Sequence, residues 1–401
     1  MSVYLIEGGN TQNKGAEAML YITIQEIRNR DAEAEVMVSS SYDYKKGTCI
    51  PGVEIVEESV DARCYARPGI HRMKLWTQNT VKRLLKRKFE KNLRKSIDLL
   101  QRADYMVDIS GFTLASKWDD AHNLAYLYAI YAANQRGVKI YLMPQSYGPF
   151  EYKSKNRNRI LNAIKEYLPL AEIVYAREYD GVNLLKDMAP TANIRKSVDL
   201  VLQSTTKIDN VVIRDEIIAL DISKNSVCVI PNTHCLEAAP ALLSAYQKAI
   251  NYLLSQKKKV YLLAHSTQDY PICEKIKEQF VDTSDVIFIH EDLSCFEYQF
   301  IVSKFDYVIA SRYHSIVHAY KEGVPCVVVG WAVKYKELTE LFHQSHYMLQ
   351  ANDQDDVGKM LAIIKQMEKS YAHEKEVIQN SLKQCQKDNC FDCFRKDIKH
   401  G

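Results

Sequence analysis

The feature that most constrains this chain is an alternation of short β-branched apolar runs with longer stretches of helical periodicity. VYLIEG (3–8), EVMVSS (35–40), YMVDIS (105–110) and KIYLMP (139–144) have strand length and little polar alternation. Runs of that kind are strands buried on both faces, the condition of a parallel sheet. GAEAMLYITIQEIRNR (15–30), AHNLAYLYAIYAANQRG (121–137) and NRNRILNAIKEYLPLA (156–171) carry apolar residues at helical spacing. IVYAREYDGVNLLKDM (173–188) reads as a strand, a turn and a helix. Strands alternating with helices predict an α/β domain with a largely parallel sheet.

The pattern weakens at QSTTKIDNVVIRDEI (203–217), which is polar and without a clear period. A second series then follows: SVCVIPN (226–232), KVYLLAH (259–265), DVIFIH (285–290), YVIASR (307–312) and PCVVVGW (325–331). PALLSAYQKAINYLLSQ (240–256), SIVHAYKEG (315–323) and a long proline-free stretch over 356–384 read as helices. The expectation is an α/β chain of two doubly wound Rossmann-like domains facing a cleft, with ligands at the C-terminal ends of the strands. The expected domains are 1–205 and 206–375, followed by a helix end and Cys-containing tail over 376–401.

Composition excludes several classes. At 401 residues, 47% hydrophobic and 26% charged, the chain has apolar material for two cores and is not disordered. Lys+Arg 53 against Asp+Glu 50 leaves a net charge of +3, too small for a protein built to grip nucleic acid. No apolar run approaches the roughly 18–20 residues needed to span a bilayer. The opening MSVYLIEGGN has no basic region followed by an apolar one, so a cytoplasmic location is expected. Ten scattered cysteines are not a disulfide framework. Cys385, Cys390 and Cys393 cluster near His400, but no second CxxC pair accompanies them, and free thiols are expected rather than a metal.

Two segments carry chemistry. In EGGNTQNKGAEAML (7–20) a strand ends, glycines allow a turn, and a helix begins near Gly15. Its first N–H groups suit an anion or a hydroxyl-rich ligand, and Glu17 falls in the first turn. Neither a Walker A loop nor a dinucleotide fingerprint is present. In ASRYHSIVHAYKEGVPCVVVGW (310–331) a strand ends at Ser311, placing Arg312 and His314 in the turn. Arg312 offers a planar fork for a carboxylate or phosphate, and His314 exchanges protons near neutral pH. His318 shares a helix face with His314, and without an H-E-x-x-H pattern it reads as packing.

SRYH followed by A-x-x-x-G-V-P, the opening N-x-x-x-x-G-A-E-A, MPQSYGPF (143–150), AREYDGVNLL (176–185) and VDLVL (198–202) together resemble the polysaccharide pyruvyl transferases. Lys334, just beyond GVPCVVVGW, belongs to the same resemblance, which runs from about residue 6 to about residue 340. It implies a glycosyltransferase-B-like fold and transfer of the pyruvyl group of phosphoenolpyruvate to a sugar, giving a ketal and phosphate. The sequence departs from the family where Ala16 replaces the usual Asp. It departs again in ISGFTLAS (109–116), where Ser110 and Phe112 stand in place of glycines.

Phosphoenolpyruvate carries a carboxylate and a phosphate, so it needs fixed cations; Arg312, Arg177 and Lys334 are the candidates. His314 is the candidate general acid, and Glu17 the candidate base or hydroxyl ligand. Asn232, His234 and His265, also at strand ends, are candidate donor contacts. Asn10, Ser110, Gln145 and Ser146 are candidate acceptor contacts on the N-terminal side. No step of this chemistry demands a metal or another cofactor.

In KLWTQNTVKRLLKRKFEKNLRKSIDLL (74–100), eight of the fourteen residues from Lys82 to Lys95 are Lys or Arg, with apolar residues interleaved. A basic amphipathic helix there would lie on an anionic membrane face, which suits a polyprenyl-diphosphate-linked acceptor. The competing readings are a nucleotide-sugar glycosyltransferase of the same fold, for which only Glu291 and Asp292 offer acidic ribose ligands, and a non-catalytic carbohydrate- or lipid-binding relative.

Overall fold

The structure, a computed structural model, describes residues 1–57, 98–206, 208, 211–351 and 356–396. The basic stretch from 74 to 97, and with it the expected membrane contact, lies outside the described residues, as does His400.

The chain divides into two compact units. One comprises Met1–Thr11, Met19–Leu200 and Cys390–Gly401, the other Gln12–Ala18 and Val201–Asn389. The main division therefore falls a few residues before the expected 205, and the expected separate tail is split. Two contacts explain this. Lys321 Nζ donates to the Ser204 carbonyl, which ties the connecting residues to the second unit. The buried Phe394 ring lies 4.8 Å from Tyr141 and 6.1 Å from Tyr4, which anchors the end of the chain in the first.

In the first unit β1 (Val3–Glu7), β2 (Glu35–Ser39), β3 (Val53–Val56), β4 (Tyr105–Asp108), β5 (Phe112–Leu114), β6 (Lys139–Tyr147), β7 (Ile173–Ala176) and β8 (Ile194–Lys196) form a parallel sheet. Its order is β3-β2-β1-β4-β6-β7-β8, with β5 paired to β6. The chain winds outward from β1 to β3, then returns to β4 on the other side of β1. The sheet therefore splits between β1 and β4, whose last residues Glu7 and Asp108 are register partners.

The second unit repeats the design. β9 (Ser226–Ile230), β10 (Lys259–Leu263), β11 (Val286–Ile289), β12 (Tyr307–Ala310), β13 (Cys326–Gly330) and β14 (Met348–Gln350) run in the order β11-β10-β9-β12-β13-β14, all parallel. The split lies between β9 and β12. Every residue of β9, β12 and β13 is buried, as their unbroken apolar sequences require. Helix Ala241–Ser255 buries Leu242, Ala245, Tyr246, Ala249, Ile250 and Leu253, an apolar stripe at helical spacing. Helix Asp356–Cys385 adds Met360, Ile364 and Met367 to the same core. No described helix is long and apolar enough to cross a membrane.

Candidate functional site

In the second unit the split of the sheet gathers the residues that the sequence singled out. Ser311 donates its N–H to the Ile230 carbonyl, and Asn232 Nδ2 donates to the Ser311 carbonyl at 3.1 Å, so the ends of β9 and β12 are pinned together. Asn232 also caps helix Thr233–Ala238 by accepting from the His234 N–H. The His234 side chain itself points to solvent and pairs with Glu237 at 3.2 Å.

Arg312 is the N-cap of helix Tyr313–Lys321. Its Nε and Nη2 donate to the two carboxylate oxygens of Asp269 at 2.8 and 2.6 Å, and Nη2 also reaches Ser266. Asp269 is fully buried, and this two-point contact fixes the plane of the guanidinium. The fork expected to receive a ligand anion is thus taken by a protein carboxylate. Nη1 makes no hydrogen bond among the described residues and is the edge left for an anion. Lys334, half-buried, lies 5.2 Å from the Tyr313 ring centroid and 5.7 Å from that of Tyr335.

His314 occupies the first turn of its helix and is packed by the segment Gln12–Ala18. A Cβ on Gly15 would lie 2.2 Å from the imidazole Cγ, so only glycine lets the backbone approach this ring. Glu17 is buried and accepts the Cys295 N–H at 2.8 Å, capping helix Cys295–Val302. Lys14 pairs with Asp292 at 3.6 Å. His265, 3% exposed, lies with its ring 6.4 Å from His314 and 6.2 Å from His318. Burial, then the neighbouring His318, His314, Arg312 and Lys14, push its pKa well below the ordinary histidine value. It is a neutral imidazole.

The remaining candidates belong to the first unit. Arg177 belongs to the first unit, Arg312 to the second. Arg177 is 5% exposed, and donates from Nη1 to Asp199 at 2.6 Å and from Nη2 to the Gly111 carbonyl and Ser146 Oγ. Ser146 Oγ in turn donates to Glu178. Arg177 thereby braces the ends of β6 and β7, and its cation, like that of Arg312, is paired with a buried carboxylate.

Asp108, which the sequence reading passed over, organises the split of the first sheet. It accepts from the Ser110 N–H and hydroxyl, and from Tyr126 and Gln145 Nε2 at 2.8 Å each. Burial raises its pKa against the lowering effect of these bonds. Asn10, half-buried, follows β1 in the same unit. Among the described residues no three His, Cys, Asp or Glu side chains are grouped to hold a metal ion.

A family model described as polysaccharide pyruvyl transferase matches residues 13–332. The chain belongs to this family. Its fold is that of glycosyltransferase-B enzymes. A UDP-GlcNAc 2-epimerase from Neisseria meningitidis, bound to UDP-GlcNAc, superposes with a TM-score of 0.60 at 10% identity, covering 100% of this chain and 99% of that one. The spinosyn rhamnosyltransferase SpnG, complexed with thymidine diphosphate, gives 0.53 at 10% identity and covers 100% of both chains. An O-GlcNAc transferase mutant from Thermobaculum terrenum gives 0.50 at 11% identity, covering 99% of this chain and 66% of that one. At such identities the likeness is one of fold. Among curated proteins none matches this sequence. Membership in the polysaccharide pyruvyl transferase family makes the chain a transferase of polysaccharide biosynthesis.

Proposed function

We propose that this member of the family transfers the pyruvyl group of phosphoenolpyruvate to two hydroxyls of a sugar, forming a ketal and releasing phosphate, in the synthesis of a bacterial surface polysaccharide. The observation that carries the reading is the grouping of Arg312 and His314 at the split of the second sheet. Arg312 and Lys334 supply cations for the donor's carboxylate and phosphate. Asn232 and His265 shape the same wall.

His314 is the proton donor. Its proton goes to the methylene carbon, leaving an oxocarbenium-like centre at the enol carbon. One sugar hydroxyl forms a C–O bond there and loses its proton. The C–O bond to phosphate then breaks, and a second hydroxyl closes the ketal. Preorganised cations favour these steps by compensating the charge of the departing phosphate. Glu17, whose carboxylate holds a helix terminus, is assigned to positioning rather than to proton abstraction.

The basic sequence from Lys82 to Lys95 supports a peripheral contact with anionic lipid near a lipid-linked acceptor. Sedimentation with anionic vesicles at low salt checks that contact, and wild-type protein that ignores them contradicts it.

Phosphate release from phosphoenolpyruvate in the presence of candidate acceptors tests the function. The reading expects release that depends on an added sugar. Turnover with a nucleotide sugar, and none with phosphoenolpyruvate across acceptors, would mark a glycosyltransferase instead.

A further inference from the structure

The segment Gln12–Ala18 belongs to the second unit and lies against residues that follow β11 and β12. Asn13 Oδ1 accepts the Gly15 and Ala16 N–H groups at 2.9 and 3.3 Å, which fixes the turn into helix Lys14–Arg30. With the Gly15 backbone set against the His314 ring, the neighbouring Lys14 stands beside the same site. Its side chain is 13% exposed, and Nζ lies 3.6 Å from a carboxylate oxygen of Asp292. The Asp292 side chain is 90% exposed. Lys14 and Arg312 are both among the charges that push the His265 pKa down, so the fields of the two cations converge on one imidazole.

Charge balance gives Lys14 its role. Arg312 is matched at two points by the buried Asp269, so that pair brings no net charge to a ligand although Nη1 remains to donate. His265 is neutral. Phosphoenolpyruvate brings a carboxylate and a phosphate of about −2 charge, which Lys334 by itself does not balance. We infer that Lys14 is a further cation of the donor site, which binds the phosphate by exchanging the Asp292 carboxylate for a phosphate oxygen. The inference rests on the proposed function and adds a binding residue from the opening of the chain. At 3.6 Å the Lys14–Asp292 contact is longer than a hydrogen bond, and its exposed carboxylate is screened by water, so the pair is easily parted. A phosphate dianion attracts the ammonium more strongly than one carboxylate does at the same distance. The flexible stem of lysine lets the ammonium turn from one to the other while the Gly15 backbone keeps its place against His314. Arg214 Nη2 donates to the Asp292 carbonyl at 2.7 Å, so the loop keeps its course when the carboxylate is released.

Calorimetric titration of the full chain with phosphoenolpyruvate and with inorganic phosphate tests the assignment on three variants. Lys14→Met keeps an apolar stem and loses the charge, and should weaken both ligands by at least about ten-fold. Lys14→Arg should restore most of that affinity. Asp292→Ala releases the ammonium and should tighten both ligands by about two- to five-fold. If the Lys14–Asp292 pair served the fold alone, Lys14→Met and Asp292→Ala would lower Tm alike and leave both affinities unchanged, which overturns the inference. A loss below about three-fold in a folded Lys14→Met, the reach of a charge acting through water, overturns it as well. Should Lys14→Met fail to fold, the exposed Asp292 carries the test, and unchanged affinity in Asp292→Ala overturns the inference. Phosphate binding that depends on Lys14, without phosphoenolpyruvate affinity in the parent protein, would remove the donor and leave the anion site standing. Phosphoenolpyruvate turnover that ignores Lys14 would do the reverse, and binding of neither ligand overturns both.

Discussion

Gly15 and His314 are interdependent, because the backbone of one occupies the space in which the ring of the other is held. His314→Ala should lower turnover by about 10²–10⁴-fold, the usual effect of removing a general acid, and leave phosphoenolpyruvate affinity nearly unchanged. Near-normal turnover would contradict the assignment. Gly15→Ala places a methyl group within the imidazole and should lower kcat through displacement of His314 while the fold persists; circular dichroism with steady-state kinetics separates the two effects.

His265 makes a prediction about pH. The folded protein holds this imidazole neutral, whereas the unfolded chain gives it an ordinary pKa of about 6.5. Below that pH the unfolded state binds a proton that the folded state refuses. The associated stability is therefore complete above about pH 6.5 and declines by roughly 1.4 kcal/mol per unit as pH falls. Replacing His265 by Gln should flatten the fall of Tm between about pH 6.5 and 5 relative to the parent protein. An unchanged slope would show that other groups dominate.

At the scale of elements, the ends of strands are held by buried charges whose partners come from distant sequence. Arg177 and Asp199, both buried, brace β6 and β7. Asp199→Asn removes the nearer of two carboxylates paired with Arg177, leaving Glu178 at 4.0 Å, and should cost up to about 3 kcal/mol, read as a lowered denaturant midpoint. Glu17→Ala removes a carboxylate from a helix N-terminus and should cost about 1 kcal/mol, with a matching loss of turnover as the segment Gln12–Ala18 loosens.

The strands that the sequence made legible are the buried central ones, such as SVCVI and CVVVG, where an apolar run and a strand coincide. VEIV, IRK and MLQ escaped because they are short and half-exposed, so burial imposes little pattern on them. Arg312 and His314 were readable because strand end, turn and helix are contiguous there. Asp269 and Gln145 act on partners 43 and 37 residues away, and Glu17 on one 278 residues away, distances at which no local period carries a signal. Asp108 had a local cue, an acid closing the strand YMVD, and its function as an acceptor of four hydrogen bonds emerges only from the packing.

For the whole molecule, the same winding scheme appears twice with different chemistry at each split. The second sheet presents Arg312, His314 and a neutral His265, the groups that the proposed function brings to an anionic donor. The first presents Glu7 and an Asp108 that is engaged by four hydrogen bonds within the protein. That difference follows from which residues end the strands beside each split. The most direct measurement uses phosphoenolpyruvate labelled with carbon-13 at the enol carbon, incubated with the enzyme and a panel of free and lipid-linked sugars. The account predicts that the label appears in the sugar as a quaternary ketal carbon in the carbon-13 spectrum, in step with released phosphate, and that His314→Ala abolishes both signals. Label confined to phosphoenolpyruvate or free pyruvate across the whole panel would contradict it.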